Sequence, residues 1–178
     1  PMSVLDSLSL AGKNVIVTGA SRGIGKALAT ALAEAGADIV SVARNGAQAE
    51  ETAEIVRGLG RQAVAIEADV TTDDGIAAVI DGTVKEFGRI DVLLNNAGYC
   101  IHRPALEVTR EEYREVMDVN LEAVFFLSQA AAKHMITQGG GNIITIGSIS
   151  AMIVNRPQWQ AAYNASKAGV HPLVKSFA

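Results

Sequence analysis

The chain has 178 residues, of which 49% are hydrophobic and 19% charged, and a net charge of −4; one well-filled domain over residues 1–178 is expected, with no basic footprint for nucleic acid. A single cysteine, Cys100, excludes an internal disulfide framework and fits a reducing compartment. No apolar run reaches the roughly 18 residues of a membrane span, and residues 1–10 lack a basic region followed by an apolar one, so a cytoplasmic protein without membrane contact is expected, with Pro1 ahead of Met2 read as a remnant.

Residues 15–25, Val-Ile-Val-Thr-Gly-Ala-Ser-Arg-Gly-Ile-Gly, open on an apolar run that predicts a buried strand, then turn through Gly19, Gly23 and Gly25 into an Ala- and Leu-rich helix over 26–35. Glycines let a ligand approach the backbone, and a helix N-terminus offers unpaired N–H groups and positive dipole to an anion. A dinucleotide pyrophosphate suits that place, which makes Gly19, Ser21, Arg22, Gly23, Ile24 and Gly25 cofactor candidates. The spacing is G-x-x-x-G-x-G rather than G-x-G-x-x-G, and a tight turn that binds nothing is the plain alternative.

Strand and helix signals then alternate: strands over 38–43, 62–67, 91–94 and 142–147, and helices over 46–59, 72–87, 110–138 and 161–178. Strands separated by helices call for right-handed crossovers in a parallel sheet, so the expected fold is α/β, a Rossmann-like doubly wound parallel β-sheet of five strands with helices on both faces. Two complete mononucleotide-binding halves would add a sixth strand after the last helix, so the chain is expected to be a fragment or a shortened domain.

Ligands in such sheets sit beyond the carboxyl ends of the strands, which draws attention to the residues just after each one. Asp69, followed by Val70, can accept from an adenine amino group or serve a turn or cap. Asn95, Asn96, Ala97 and Gly98 permit close approach to a flat ring or ribose, or form a purely structural turn. About 20 residues past the glycine turn, where an acid would bind the ribose 2′-hydroxyl of NAD(H), stand Ala43 and Arg44. A guanidinium pairs with a 2′-phosphate and Arg22 adds a second positive charge, so NADP(H) is expected ahead of NAD(H), which remains the alternative; a solvated surface arginine is the plain reading of Arg44.

Tyr163 and Lys167 lie four residues apart, on one face of the last helix. An ammonium beside a phenol favours the phenolate, which makes a tyrosine a usable general acid or base; alone, the pair also reads as a surface contact. Ser148, at the expected end of the fifth strand, can hydrogen-bond a reacting oxygen, with Ser150 the competing serine. Asn120 reads as a mid-helix kink or a satisfied core amide. His102, His134 and His171 show no metal-ligand spacing, so no metal site is expected; Pro172 is expected to interrupt the helix beside His171.

In order, Thr18-Gly-Ala-Ser-Arg-Gly-Ile-Gly25, Asp69-Val70, Asn95-Asn-Ala-Gly98, Asn120, Ser148 and Tyr163-Asn-Ala-Ser-Lys167 resemble the short-chain dehydrogenase/reductase family, from Leu8 to the last residue. The resemblance implies a catalytic Ser148, Tyr163, Lys167 and Asn120. Tyr163 would exchange a proton with the substrate oxygen, Lys167 would bind the nicotinamide ribose, Ser148 would orient the substrate and Asn120 would hold a water of the proton relay. Asn155-Arg156-Pro157-Gln158 is similar to a run in the polyol dehydrogenase branch, which implies interconversion of a secondary alcohol and a ketone on a polyol, sugar or related compound. Asn155 and Gln158 would bind hydroxyls and Trp159 would form an apolar wall, against the plain reading of an exposed loop.

The family continues through further carboxyl-terminal strands and a substrate lid that are absent here. A reductase of 3-oxoacyl carrier-protein thioesters is the alternative within the family, and a non-catalytic nucleotide-binding fragment or regulatory module the alternative outside it. Ala-rich faces over 123–132 and 161–170 resemble the family's dimer bundle, which implies a homo-oligomer, dimer or tetramer, acting on a small-molecule substrate.

Overall fold

The computed structural model describes residues 7–177; the Pro1–Met2 start and Ala178, the expected end of the last helix, lie outside them. Among the described residues, β1 (Asn14–Thr18), β2 (Asp38–Ala43), β3 (Ala63–Glu67), β4 (Val92–Asn95) and β5 (Asn142–Thr145) form one sheet in the order β3-β2-β1-β4-β5. Every pairing is parallel. The helices between them are α1 (Gly23–Glu34), α2 (Gly46–Gly58), α3 (Asp73–Phe87), α4 (Arg110–Met117), α5 (Ala123–Thr137) and α6 (Ala161–Ser176).

Alternation along the central strand divides the core. Ile16 packs with Val79, Leu93, Leu127 and Met135 on the side of α3 and α5, whereas Val15 and Val17 pack with Ala29, Ala33 and Val56 on the side of α1 and α2. All five residues of β1 are buried, as a parallel strand covered on both faces requires. The fold is thus the expected Rossmann-like doubly wound sheet. From β1 the chain builds outward to β3, then returns past β1 to β4 and β5, so a crevice opens beyond the carboxyl ends of β1 and β4.

Several boundaries shift by a residue or more from the sequence-based expectation, and four differences bear on the site or its packing. The first helix begins at Gly23, because the last residues of the glycine turn are already helical. The helix expected over 110–138 is two helices joined by a π-helical segment, Asp118–Glu122, which holds Asn120. β5 stops at Thr145, opposite Asn95 where its partner β4 also ends, and beyond it Lys167 Nζ donates to the Ile146 carbonyl at 2.7 Å. Finally, α6 runs through Pro172 without breaking, its buried face of Ala162, Ser166, Lys167 and Val170 already set in the preceding turns.

Buried Asp91 fastens the sheet where β4 begins. Its carboxylate accepts from the Asn14 N–H at 3.0 Å and from Arg89 at 2.9 Å, with Lys13 at 3.6 Å. Burial pulls this carboxyl pKa upward, but the Asn14 N–H and the two cations outweigh it and hold the pKa below the ordinary value. A depressed folded-state pKa stabilises the fold above the unfolded-state value, near 3.9 for aspartate, and that stabilisation disappears as pH falls through the folded-state value. Asp91→Ala is therefore expected to lower the unfolding free energy by about 1–3 kcal/mol at pH 7. Urea titrations of both proteins check this, with the gap expected to narrow in acid.

Candidate active site

A cleft of about 600 Å³ lies beyond the carboxyl ends of the strands. Of the stretches expected at the ligand edge, 18–25, 43–44, 69–70 and 95–98 line it apart from buried Thr18, Ala20 and Asn95, whereas 148–150 do not. Thr18 joins the two central turns: its hydroxyl accepts from the N–H groups of Asn96 and Ala97, both at 3.0 Å. The Asn96 amide returns to the Thr18 and Gly19 carbonyls at 2.9 and 3.3 Å, so its side chain holds the turns together. Gly19 takes a φ of +65°, and a Cβ there would stand 2.9 Å from Ala97 Cα. A Cβ on Gly25 would run into the Gly19 carbonyl oxygen and the Asn96 amide.

Arg22 precedes α1 in extended conformation, with no side-chain cap and no acidic residue in the first turn. An uncapped helix start beside a backbone cradle that a Cβ would fill fits an anionic pyrophosphate.

Asp69 accepts from the Thr71 N–H and hydroxyl at 3.0 and 2.7 Å, so its side chain makes the turn before α3 while also lining the cleft. Partial burial pulls its carboxyl pKa upward, yet the Thr71 hydrogen bonds and the charge of Arg44 hold it below the ordinary range. Arg44 is exposed at the end of β2, and Asn45, Gln48 and Thr71 join the lining although sequence reasoning did not single them out. Asn45 carries a legible signal, because it caps α2 by accepting from the Gln48 N–H at 3.0 Å.

None of the four expected catalytic residues lines that cleft; Asn120 and Lys167 lie beside its Gly98–Tyr99 end. Asn120 is fully buried: Oδ1 accepts from the Tyr99 N–H at 2.8 Å, while Nδ2 donates to the Tyr99 carbonyl at 2.8 Å and to Ser166 Oγ at 3.0 Å. Both plain sequence readings of Asn120 therefore hold, since it sits in the helix irregularity and its amide is satisfied. A Cβ built on Gly98 would stand 3.5 Å from Asn120 Oδ1 and 3.9 Å from Lys167 Nζ, which places both beside this turn. Burial pushes the Lys167 ammonium pKa down, and Nζ lies 5.9 Å from the centre of the Tyr163 ring. Ser148 precedes a 3-10 turn, Ile149–Ala151, that packs against α6, and its Oγ accepts from the Ser150 N–H at 3.1 Å.

Asn155, Gln158 and Trp159 are not brought to the cleft. Residues 152–159 form an exposed loop, half-buried only at Asn155, with a cis peptide bond between Arg156 and Pro157. Buried Gln160, which bonds Ser150, joins the expected catalytic group although sequence reasoning did not single it out, and the Tyr99 backbone brackets Asn120. Among the described residues, no helix is long and apolar enough to cross a membrane.

The sequence model described as "short chain dehydrogenase" matches residues 13–178. The chain belongs to the short-chain dehydrogenase family. It is 45% identical over 170 residues to the 2-dehydro-3-deoxy-D-gluconate 5-dehydrogenase of Escherichia coli, covering 94% of this chain and 65% of that relative. A short-chain dehydrogenase/reductase structure from Mycobacterium marinum superposes with a TM-score of 0.96 at 42% identity, over 99% of this chain and 72% of that one. A gluconate 5-dehydrogenase from Burkholderia cenocepacia, in complex with NADP and tartrate, superposes with a TM-score of 0.91 at 38% identity, over 98% and 68%. This short-chain dehydrogenase sequence thus spans about two thirds of the length of the relatives it matches.

Proposed function

We propose that this short-chain dehydrogenase is an NADP(H)-dependent oxidoreductase that interconverts a secondary alcohol and a ketone on a sugar, polyol or related hydroxy compound. The observation that carries the reading is the meeting of Asn120 and Lys167 at the Gly98 end of the cleft, with Tyr163 one helical turn before Lys167. The relatives named as gluconate-type dehydrogenases put sugar acids first among the compounds to test.

Gly19, Ser21 and Gly23 to Gly25 would hold the pyrophosphate, Arg22 and Arg44 the 2′-phosphate, Asp69 and Val70 the adenine end, and Asn96, Ala97, Gly98, Tyr163 and Lys167 the nicotinamide ribose end. When bound, the nicotinamide supplies or accepts the hydride. In reduction Tyr163 donates its phenolic proton to the ketone oxygen, and in oxidation it takes that proton back. Lys167 stabilises the negative charge then left on Tyr163, and Ser148 keeps its proton while donating a hydrogen bond to the reacting oxygen. Asn120 keeps the Tyr99 turn and the neighbouring helix in register, beside a water path for the proton. Asn155, Gln158 and Trp159 are assigned to the substrate side, where the exposed loop would have to close over a bound hydroxy compound. The test of the whole reading is NADPH consumption by the full-length protein with a panel of sugar acids, ketoses and polyols. No turnover with any of them would sink it.

For the nucleotide choice, Arg44→Ala is expected to weaken NADPH binding about 10- to 100-fold, the effect of losing charge-assisted hydrogen bonds, while NADH affinity stays within about twofold. Fluorescence titration of both nucleotides reads this directly. Equal losses for the two would remove Arg44 from the 2′-phosphate site.

The same reading includes a homo-oligomer, a dimer or a dimer of dimers. Phe125 and Phe126 are 37% and 43% exposed and meet edge to face at 5.1 Å, and with Met117, Leu121 and Leu173 they line an apolar trough on the outer helices. A second copy covering that trough is expected to leave Phe126→Glu monomeric in sedimentation. A wild-type protein that sediments as a monomer at micromolar concentration would reject the assembly. A reducing cytoplasmic setting goes with this reading, since Cys100 is a free thiol.

A further inference from the structure

Gln160 occupies the N-cap position of α6 but makes no side-chain cap there. Ser, Thr, Asp or Asn in that position would satisfy an open N–H, a contribution to helix stability that Gln160 forgoes. The Gln160 side chain is directed elsewhere. Only 7% of the residue is exposed, its Nε2 donates to the equally buried Ser150 Oγ at 2.9 Å, and its Oε1 accepts from the Cys100 thiol at 3.8 Å. His102 Nε2 lies 4.0 Å from the same sulfur. On the backbone, the Arg103 N–H donates to the Trp159 carbonyl at 2.7 Å, and Arg103 forms a short parallel bridge with Gln160. One carboxamide thus joins three segments: the turn after β5, the wall after Gly98, and the start of the helix that bears Tyr163.

The connection continues to the reacting groups. Ser150, held through its hydroxyl by Gln160, directs its own N–H at Ser148 Oγ. A serine hydroxyl whose oxygen already accepts one hydrogen bond keeps its single proton for donation. We propose that Gln160 is a positioning residue: by clamping Ser150 against the Cys100 wall, it fixes the Ser148 hydroxyl as a hydrogen-bond donor to the substrate oxygen. The inference deepens the dehydrogenase reading and rests on it for its catalytic consequence.

The test compares full-length wild type with Gln160→Met, which keeps the side-chain length and removes both hydrogen bonds, and with Ser150→Ala. Two readouts are taken: steady-state ketone reduction with NADPH, and the rate at which iodoacetamide labels Cys100, followed on its peptide by mass spectrometry. Gln160→Met is expected to lower kcat about tenfold, with KM for NADPH within about twofold of wild type, and to speed Cys100 labelling several-fold. Because Gln160 acts through Ser150, the double variant is expected to lose no more kcat than the worse single variant. Unchanged kcat and unchanged labelling in Gln160→Met would overturn the proposal, as would full additivity in the double variant. A merely structural role would instead lower the urea midpoint and raise both KM values without this split, which also overturns it. Were the wild type to turn over no ketone, the dehydrogenase reading would fall and the catalytic role of Gln160 with it; the labelling rate would still decide whether the clamp exists.

Discussion

Tyr163→Phe is expected to lower ketone turnover by about three orders of magnitude, within the 10²- to 10⁴-fold range of a lost general acid, while NADPH affinity changes by less than about threefold. The substitution removes one oxygen and keeps the ring, so what Tyr163 packs against stays in place. Its neighbours explain why nothing nearby replaces the lost proton donor. Asn120 has its amide committed to Tyr99 and Ser166, and Lys167 donates to the Ile146 carbonyl while burial pushes its ammonium pKa down. Ser148 has a hydroxyl proton, but an aliphatic hydroxyl is a far weaker acid than the Tyr163 phenol and gives its proton up far less readily. Single-turnover measurements at saturating NADPH separate this loss from product release. Retention of more than about a tenth of wild-type kcat would take Tyr163 out of the proton transfer.

Gly25→Ala is expected to abolish measurable NADPH binding, a loss of at least about a hundredfold, and to lower the melting temperature as well. The added methyl meets the Gly19 carbonyl oxygen and the Asn96 amide, the two groups that set the distance between the β1 and β4 turns. Overpacking at a rigid site costs about 1–3 kcal/mol of fold stability, but the larger effect falls on the ligand, because relief of the clash moves the backbone that would face the phosphates. Gly58→Ala, at a helical position where a Cβ meets nothing within 4 Å, is the control and is expected to leave binding unchanged and melting unchanged or slightly raised. Calorimetric titration beside a thermal melt at the same concentration distinguishes loss of the site from loss of the fold. NADPH affinity in Gly25→Ala equal to that of wild type would move the pyrophosphate away from this turn.

The sheet was legible because its strands are short apolar runs bounded by turn residues and separated by helices, and that pattern survives without any tertiary information. The cleft lining was legible for the same reason: the carboxyl end of a parallel strand is a place a sequence can mark, as Gly19, Arg44, Asp69 and Gly98 do. The π-helical segment was legible only as a mid-helix kink at Asn120, because the residues around it continue an ordinary helical periodicity and its form and extent, Asp118–Glu122, depend on the buried amide bonded to both backbone groups of Tyr99. The early end of β5 was hidden likewise, since it follows the end of its partner β4 at Asn95, which the apolar run over 142–147 does not mark. Gln160 carried no signal at all: a lone buried amide before a helix has no period and no cap preference to announce it. Pro172 misled in the other direction, because its local cost is real and the packing of α6 overrides it.

The reversal of strand order has a consequence for how the chain assembles. Asn14 pairs with Asp38, 24 positions along the chain, whereas Val15 pairs with Val92, 77 positions along. Loop-closure entropy rises as the logarithm of the separation, so bringing β1 to β4 costs about 1 kcal/mol more than bringing it to β2. The seam of the crevice is therefore the join with the larger closure penalty, and it is held by Thr18 and Asn96 reaching across it. Any molecule that touches both lips stabilises that join, so occupancy of the cleft adds to the stability of the sheet by mass action.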